Sequence, residues 1–365
     1  MQAVSNSVAI LGRGHNENAF DFIRFVAAFG VLFSHSFALL GQPEPKFYGG
    51  QTLGSLSVFV FFAVSGYLVM TSWDRTRSAR VFSVNRGLRI FPGLAVCLLL
   101  CAFVLGPIVT AVSSVTYFAS LKPFAYVASN LAMFTGHIEN ALPGTFQNLP
   151  IANTVNGSLW TIRYEIFMYL TLLGIVCMTS KSSCLIAMLL VSYISVWAIG
   201  TFQGLANPGA LLWRLGMIGL GGQILNLAPF FLVGALLARV PSSYLRPQLA
   251  VIFAVAALLS YDSRYAIFVL WFTLPHCVLT LAYHAPKLIN RFGKHGDFSY
   301  GMYLYAFPVQ QTLTYMNVEK WWIHLPLSFV ITLSLAVLSW KFIESPALKL
   351  KARSALVLGR MPVSS

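Results

Sequence analysis

The sequence predicts an all-α fold, a polytopic membrane bundle of about ten transmembrane helices with both termini in the cytoplasm. Three observations support this class. The 365 residues are 57% hydrophobic and only 9% charged, with a mean hydropathy of +0.73, whereas soluble domains carry about 25% charged residues. The apolar residues gather in stretches of roughly 15–22, near the length that crosses a bilayer. The basic residues are distributed unevenly among the segments that join these stretches.

The ten apolar stretches define the predicted spans. They lie at roughly 20–40, 52–73, 91–113, 157–178, 183–200, 222–239, 248–262, 265–283, 298–317 and 323–343. The membrane domain is predicted over 19–345, with cytoplasmic tails at 1–18 and 346–365. Two outer segments, 113–157 and 200–222, are the candidate surfaces for an extracytoplasmic substrate, and Phe124–Phe134 is predicted to form a short helix within the first.

The basic residues orient the predicted spans. Of the 24 lysines and arginines, 17 fall in the segments assigned to the cytoplasm, five in the outer segments and two, Arg24 and Arg163, within spans. This bias follows the positive-inside rule. The net charge of +14 is therefore explained by topology and by contact with anionic membrane lipids, so nucleic-acid binding is not predicted.

The first span carries two polar groups at membrane depth. Arg24 and His35 are eleven residues apart, so at about 100° per residue they share a helix face, about 16 Å apart along the axis. Asp21 shares that face at the cytoplasmic end. A charge inside a bilayer is costly and indicates function. The alternative is that Arg24 reaches the headgroups and His35 only bonds a neighbouring helix.

An arginine-rich segment follows the second span. Between Asp74 and Gly93 the sequence holds five arginines, and it is predicted to be a cytoplasmic loop leading into span three. Arg86 and Arg89 share one face if the helix has begun there. Guanidinium groups bind phosphates through paired hydrogen bonds, which favours a phosphorylated cytosolic donor. Contact with anionic headgroups is the alternative.

The second and fourth spans add further candidates. Ser65 and Gly66 lie mid-span, where small residues permit close helix contact; a nucleophilic role for Ser65 is the alternative. Glu165 lies one to two turns inside span four and needs a partner at that depth. Arg163 is two residues away, so the pair need not interact.

The ninth span contains an aromatic stripe. Tyr300 and Tyr303 are neighbours on one face, Ser299 lies at the mouth, and Pro308 is expected to open the helix and free backbone groups for a cavity wall. His276 and His284 are interpreted as structural. The five cysteines lie in or beside apolar spans and are interpreted as packing residues, and no metal-binding motif or glycine-rich nucleotide loop is present.

Six motifs occur in a fixed order. They are Arg24-x10-His35, Phe-Phe-x-x-Ser-Gly-Tyr in span two, Arg86-x-x-Arg89, Gly-Ser-Leu-Trp-x-x-x-x-Glu165, Ser299-Tyr-x-x-Tyr-Leu and the closing Glu344-x-Pro. In this order the chain resembles the acyltransferase-3 family of bacterial inner-membrane acyltransferases that acetylate exported carbohydrates. The likeness covers residues 18–350. The family often continues into a Trp-His-x-Pro sequence in span nine, whereas here Tyr305, Ala306 and Phe307 precede Pro308.

The resemblance implies a function and assigns residues to it. It implies acetyl transfer from cytosolic acetyl-CoA to a hydroxyl of an exported carbohydrate, by a multi-pass protein of the bacterial inner membrane without a resident cofactor or metal. Catalytic roles are then expected for Arg24, His35 and Glu165, and donor binding for Arg86 and Arg89. Substrate-binding positions are expected at Trp160, Tyr164, Ser299, Tyr300 and Tyr303.

Three functions are weighed on these residues. In the transferase, His35 is the general base on the acceptor hydroxyl, Arg24 lines the route of the donor, and Glu165 orients His35 or the sugar. Direct transfer and a covalent acyl-enzyme are both open. The main alternative is a transporter in which Arg24, His35 and Glu165 relay protons or bind a solute. The third function is a flippase-like partner in envelope assembly with no chemistry of its own. No inverted repeat is found in the sequence, which favours the transferase.

Overall fold

The computed structural model describes residues 19–133, 138–202 and 223–350. Within these ranges the chain is helical except for short loops and one two-stranded ribbon. Seven of the described helices are long and apolar enough to cross a membrane, and two shorter apolar helices and the 17-residue helix Ser299–Tyr315 accompany them. The predicted all-α polytopic membrane bundle is confirmed, and the cytoplasmic location of both termini stays a prediction.

The described elements follow the predicted spans in order. The helices are α1 (Ala19–Ala38), α2 (Leu53–Thr76), α3 (Ala79–Leu100), α4 (Gly106–Val109), α5 (Ser114–Ala119), α6 (Lys122–Leu131), α7 (Trp160–Met178), α8 (Ser182–Phe202), α9 (Gln223–Leu237), α10 (Pro247–Leu259), α11 (Ala266–His284), α12 (Lys287–Asn290), α13 (Ser299–Tyr315) and α14 (Trp321–Ser339). The strands are β1 (Lys46–Tyr48) and β2 (Gln51–Thr52), an antiparallel pair. Short 3₁₀ turns cover Gly157–Leu159, Ser242–Tyr244 and Phe292–His295, and π turns cover Cys101–Leu105 and Trp340–Glu344.

The start of α3 corrects the sequence prediction. The arginine-rich segment was predicted to be a loop, with the span beginning near residue 91, but α3 begins at Ala79. Ser78 caps it by accepting a hydrogen bond from the Val81 amide at 3.4 Å. Hydropathy locates the membrane-crossing part of a helix, whereas arginine is itself a good helix former. Arg86 and Arg89 therefore lie on a regular helix.

The outer segments are described only in part. The short helix predicted at Phe124–Phe134 is present as α6, which ends at Leu131, and α5 precedes it. Phe134 lies outside the described residues. Most of the second outer segment, residues 203–222, also lies outside them, so its role as a substrate surface stays a prediction.

The described chain forms two compact units. The first comprises the described parts of Met1–Ser34, Glu44–Arg75 and Trp160–His295, and the second comprises those of His35–Pro43, Thr76–Leu159 and Gly296–Ser365. The boundary falls inside α1, which is one continuous helix. Each unit has its own packed interior, with mainly aliphatic and aromatic side chains buried between helices.

In the first unit, α2 and α9 approach each other closely. A Cβ atom at Gly66 would lie 2.0 Å from the Phe231 carbonyl oxygen, and one at Gly234 would lie 2.1 Å from the Ala63 carbonyl oxygen. Only glycine allows backbones to come this near. The packing role predicted for Gly66 is confirmed.

In the second unit, α13 remains helical through Pro308. Proline at this position leaves the Leu304 carbonyl without its usual helical donor. That oxygen instead accepts from Asn156 Nδ2 at 3.0 Å and from the Cys97 thiol at 3.5 Å. Pro308 therefore frees a backbone carbonyl, as expected. This carbonyl does not line a cavity, because the buried side chains of Asn156 and Cys97 donate hydrogen bonds to it.

Candidate active site

The predicted site residues are shared between the two units. Arg24, Trp160, Tyr164 and Glu165 belong to the first unit. The second unit holds the remaining positions, which are His35, Arg86, Arg89, Ser299, Tyr300 and Tyr303. The residues of the first unit lie on α1 and α7, and those of the second unit lie on α1, α3 and α13.

At the start of α1, Arg24 is held by Asp21. Their side chains, three residues apart, form an ion pair of 2.5 Å and are only 19% and 13% exposed. Asp21 also packs on the backbone near Gly293, where a Cβ atom would lie 2.3 Å from Asp21 Oδ2. The shared helix face predicted for the two residues is confirmed. The burial and the pairing argue against the alternative in which Arg24 extends to the headgroups.

His35 lies one turn before the end of α1. Its ring meets Phe307 of α13 edge-on, with the ring centroids 5.4 Å apart. Its Nδ1 atom is buried and receives no hydrogen bond from any described residue. The next residue, Ser36, accepts from Gln310 Nε2 at 2.7 Å and so ties this part of α1 to α13. The alternative for His35 was that it only bonds a neighbouring helix. Its Nδ1 atom makes no such hydrogen bond in the described structure.

In the first unit, Glu165 on α7 is an acceptor for two hydroxyl groups. Ser65 of α2 donates to Glu165 Oε1 at 2.9 Å, and Tyr169, one turn along α7, donates to the same oxygen. Hydroxyl donors stabilise the charged carboxylate. The sequence analysis predicted that Glu165 needs a partner inside the membrane. The structure supplies two, Ser65 and Tyr169. An orienting role of Glu165 toward His35 or a sugar stays a prediction.

The start of α7 carries an aromatic and cationic stack. Trp160 meets Tyr164 edge-on at 5.8 Å between centroids. Arg163 lies over the Tyr164 ring at 4.8 Å and donates to its hydroxyl at 3.0 Å. Tyr164 is buried and Trp160 is partly exposed. Of the two predicted substrate contacts, Trp160 is the more exposed residue.

On α3, the two arginines of the Arg-x-x-Arg motif are both partly buried. Arg89 forms an ion pair with Asp297, which precedes α13, and lies 3.8 Å from Glu344 in the π turn after α14. Its guanidinium is also 5.7 Å from the centre of the Tyr300 ring. The structure therefore brings Arg89 and Tyr300 together with two carboxylates that were given no role in the sequence analysis.

The three predicted contacts on α13 have protein partners for their hydroxyl groups. Ser299 donates to Asp297 Oδ1 at 2.5 Å, Tyr300 to the Ile90 carbonyl at 2.8 Å and Tyr303 to the Ser158 carbonyl at 2.9 Å. These bonds join α13 to α3 and to the turn before α7. Direct contact of these residues with a substrate stays a prediction.

Two functional candidates were missed in the sequence. Asp297 stands two residues before the Ser299-Tyr300 motif, and Glu344 was named only as part of the closing Glu344-x-Pro motif, without a role. The available signal was charge, because they are two of the ten acidic residues in the chain and both adjoin apolar stretches, where a carboxylate needs a partner.

A cavity in the first unit contains none of the predicted site residues. It measures about 590 Å³ and is lined by Tyr283, His284, Ala285, Pro286, Lys287, Asn290 and Arg291. His284 and His276 bond to the backbone carbonyls of Leu245 and Tyr244, at 2.9 and 3.0 Å. The structural interpretation of these two histidines is confirmed.

The fold and these residues define a class: a polytopic membrane protein with a histidine whose Nδ1 atom is buried and with two neighbouring arginines on one helix. Comparison with known proteins gives the family. Residues 17–341 match the family described as an acyltransferase domain. The chain belongs to this acyltransferase-3 family and is an O-acyltransferase, as the sequence resemblance predicted. The transporter alternative is disfavoured accordingly.

Two relatives support the assignment. The chain is 30% identical to an O-acetyl transferase of Shigella phage Sf6, over 90% of this chain and 96% of the relative. It is also 30% identical to nodulation protein 10 of Rhizobium leguminosarum bv. viciae, over 96% of this chain and 98% of the relative. No solved structure matches the chain significantly.

Proposed function

We propose that this protein transfers an acetyl group from cytosolic acetyl-CoA to a hydroxyl of an exported poly- or oligosaccharide at the bacterial inner membrane. The acyltransferase family and the O-acetyl transferase relative support the reaction class and the acetyl group. The seven long apolar helices support a multi-pass location. The excess of basic residues in the inner segments supports a cytosolic donor side.

The observation that carries the proposal is the environment of His35. Most buried polar atoms in proteins have a hydrogen-bond partner, whereas Nδ1 of His35 is buried and receives none from the described residues. An imidazole with its proton on Nε2 presents Nδ1 as a base. The edge contact with Phe307 and the Ser36–Gln310 bond hold the ring-bearing turn in place. Such a nitrogen is suited to accept a proton from a hydroxyl group.

The proposed step is a direct transfer. His35 takes the proton of the acceptor hydroxyl as its oxygen attacks the thioester carbonyl carbon. A carbon–oxygen bond forms and the carbon–sulfur bond breaks, so the acetyl ester is the product. The departing thiolate receives the proton from His35 and leaves as CoA thiol. His35 ends in its starting protonation state.

The donor and acceptor groups are assigned from charge and exposure. We place the donor phosphates at the start of α3, beside Arg86, because guanidinium groups bind phosphates well. Arg24, paired with Asp21 on α1, is proposed to line the donor route. Trp160 is proposed to contact the sugar through its partly exposed ring, and Glu165 to orient the acceptor.

The proposal is tested by mass spectrometry of surface and secreted glycans from the native host. A chromosomal His35→Ala variant at wild-type protein level is expected to remove an acetyl-sized mass from one glycan, because the general base is lost. His284→Ala is the matched control, since His284 is exposed and bonds only a backbone carbonyl in the described structure. It is expected to leave acetylation unchanged.

The same variants are then compared with purified protein. Wild type and His284→Ala should release CoA from acetyl-CoA when the acceptor glycan is supplied, and His35→Ala should lose about 100-fold or more of that rate. Unchanged glycans in the His35→Ala strain, with the protein present, would refute the assigned role of His35.

A further inference from the structure

Arg89 lies within a buried cluster of charges in the second unit. Its guanidinium pairs with Asp297 and lies 3.8 Å from Glu344, and the Tyr300 ring covers it at 5.7 Å. The Arg89 side chain is 17% exposed, and the two carboxylates are only 8% and 2% exposed. Three separate chain segments, α3, the start of α13 and the end of α14, thus meet at one arginine.

Both carboxylates are aimed at Arg89 by serine side chains. Ser299 donates its backbone N–H and its hydroxyl to Asp297 Oδ1, at 3.2 and 2.5 Å, so the other oxygen, Oδ2, faces the guanidinium. Ser339 donates to Glu344 Oε1 at 2.9 Å, and Oε2 is the oxygen nearest to Arg89. Asp297 thus bonds a serine through one oxygen and the arginine through the other. Glu344 bonds a serine through Oε1, whereas its buried Oε2 accepts no hydrogen bond from the described residues and lies 3.8 Å from Arg89.

The backbone is also shaped to build this cluster. Gly296, next to Asp297, has φ +125°, and a Cβ atom there would lie 2.2 Å from Trp340 Nε1. A Cβ atom at Gly93, one turn after Arg89, would lie 3.0 Å from the Tyr300 ring and 3.5 Å from Glu344 Cγ. The π turn at Trp340–Glu344 sets the position of Glu344, and such turns occur often at functional sites.

We infer that Arg89 is a positioning residue, held by Asp297 and Glu344, and is not a ligand of the donor phosphates. Two buried carboxylates need a cation beside them, because an unpaired buried charge is strongly destabilising. A phosphate brought to Arg89 would meet both carboxylates. Arg89 instead joins the ends of α13 and α14 to α3, the helix that carries Arg86. The donor part of this inference rests on the proposed function.

The first test removes the charge of Arg89 alone and then all three charges together. Arg89→Met is expected to lower the melting temperature of the detergent-solubilised protein and to lose activity, because two buried carboxylates are left unpaired. The triple variant Arg89→Met, Asp297→Asn, Glu344→Gln is expected to regain most of the melting temperature and to return KM for acetyl-CoA to within about threefold of wild type. Arg86→Gln is expected to raise KM about tenfold or more in either background.

The second test asks whether Arg89 binds the donor phosphate or only positions the helices. The two roles predict different changes in the kinetic constants for acetyl-CoA. Asp297→Asn alone removes a negative charge and keeps Arg89. If Arg89 bound donor phosphate, this variant would lower KM for acetyl-CoA, because a competitor is gone. The positioning role predicts a lower kcat or a raised KM instead. Lys341→Met is the matched control, an exposed cation in the same π turn, and should change neither constant.

The outcomes are distinct. A folded triple variant whose KM stays raised, as in Arg86→Gln, or a lowered KM in Asp297→Asn, overturns the inference. A triple variant that melts no higher than Arg89→Met also overturns it, because compensation has then failed. If wild type does not use acetyl-CoA at all, the donor assignment is refuted, while the melting comparison still tests the pairing of Arg89 with its carboxylates.

Discussion

At the scale of single residues, Glu165 and Ser65 form a link between α7 and α2. The Ser65 hydroxyl donates to Glu165 at 2.9 Å, and Tyr169 is the second donor. Ser65 lies within a regular helix and not on a sharp strand-to-helix turn of the kind that presents a hydrolase serine. We therefore expect Ser65 to support Glu165 and not to act as a nucleophile.

A pair of variants separates these roles. Ser65→Ala is expected to lower the acetyl-transfer rate by about tenfold, equivalent to roughly 1.4 kcal/mol, the size of one hydrogen bond to a charged group. Glu165→Gln is expected to cost about 100-fold, because the carboxylate itself is lost. The measurement is the rate of CoA release from acetyl-CoA with purified protein.

The control for this pair lies on the same helix. Ser55 is near the start of α2 and bonds only Thr52 in the described structure, so Ser55→Ala should keep the wild-type rate. Complete loss of activity in Ser65→Ala, with the protein folded, would instead show that Ser65 forms the acyl-enzyme.

At the scale of elements, close contact between helices depends on particular glycines. Gly66 of α2 faces the Phe231 carbonyl of α9, and Gly234 of α9 faces the Ala63 carbonyl of α2. The aromatic rings of Phe59 and Phe230 stack at 4.3 Å beside this contact. Association of helices in a membrane depends on such packing, because lipid tails compete equally for apolar surface.

Gly66→Ala is expected to destabilise the protein. A Cβ atom 2.0 Å from the Phe231 carbonyl oxygen forces the two helix backbones apart, at a cost of ~2 kcal/mol or more, which corresponds to a fall of about 3 °C or more in melting temperature for a chain of this length. Gly174→Ala is the matched control, since a Cβ atom at Gly174 of α7 meets nothing within 4 Å. Thermal unfolding followed by size-exclusion chromatography measures both, and equal melting temperatures would contradict the contact.

The elements also show what hydropathy can and cannot predict. The positions of the spans follow from runs of apolar residues, and α1, α7 and α11 begin and end within a few residues of the predictions. The start of α3 could not be predicted in this way, because its first turns carry arginines that belong in the headgroup region and not in the hydrocarbon. The π turns at Cys101–Leu105 and Trp340–Glu344 have no sequence signature of this kind.

At the scale of the whole molecule, the limits of sequence reasoning lie in long-range pairing. Arg24 with Asp21 was predictable, because neighbours three residues apart share a helix face. The contacts of Arg89 with Asp297 and Glu344 could not be predicted. Arg89 and Asp297 are 208 residues apart, and helix periodicity says nothing about contacts between distant segments. The role of Ser65 as a donor to Glu165 was missed for the same reason, with 100 residues between them.

The orientation of the molecule is a separate prediction from its fold. The bias of basic residues places the turn between α10 and α11 on the outer side and the turn between α9 and α10 on the inner side. Ser263 and Ser243 are exposed representatives of these turns. With Cys177 and Cys184, the exposed native cysteines, replaced by serine, Ser263→Cys in intact cells is expected to react with a membrane-impermeant maleimide and Ser243→Cys is not.

Permeabilised cells provide the control for that experiment. Both introduced cysteines should then react, which shows that Ser243→Cys is accessible once the barrier is removed. Labelling of Ser243→Cys but not Ser263→Cys in intact cells would reverse the topology. The start of α3, with Arg86, would then lie outside and away from cytosolic acetyl-CoA, so this single comparison tests whether the donor can reach the arginine helix.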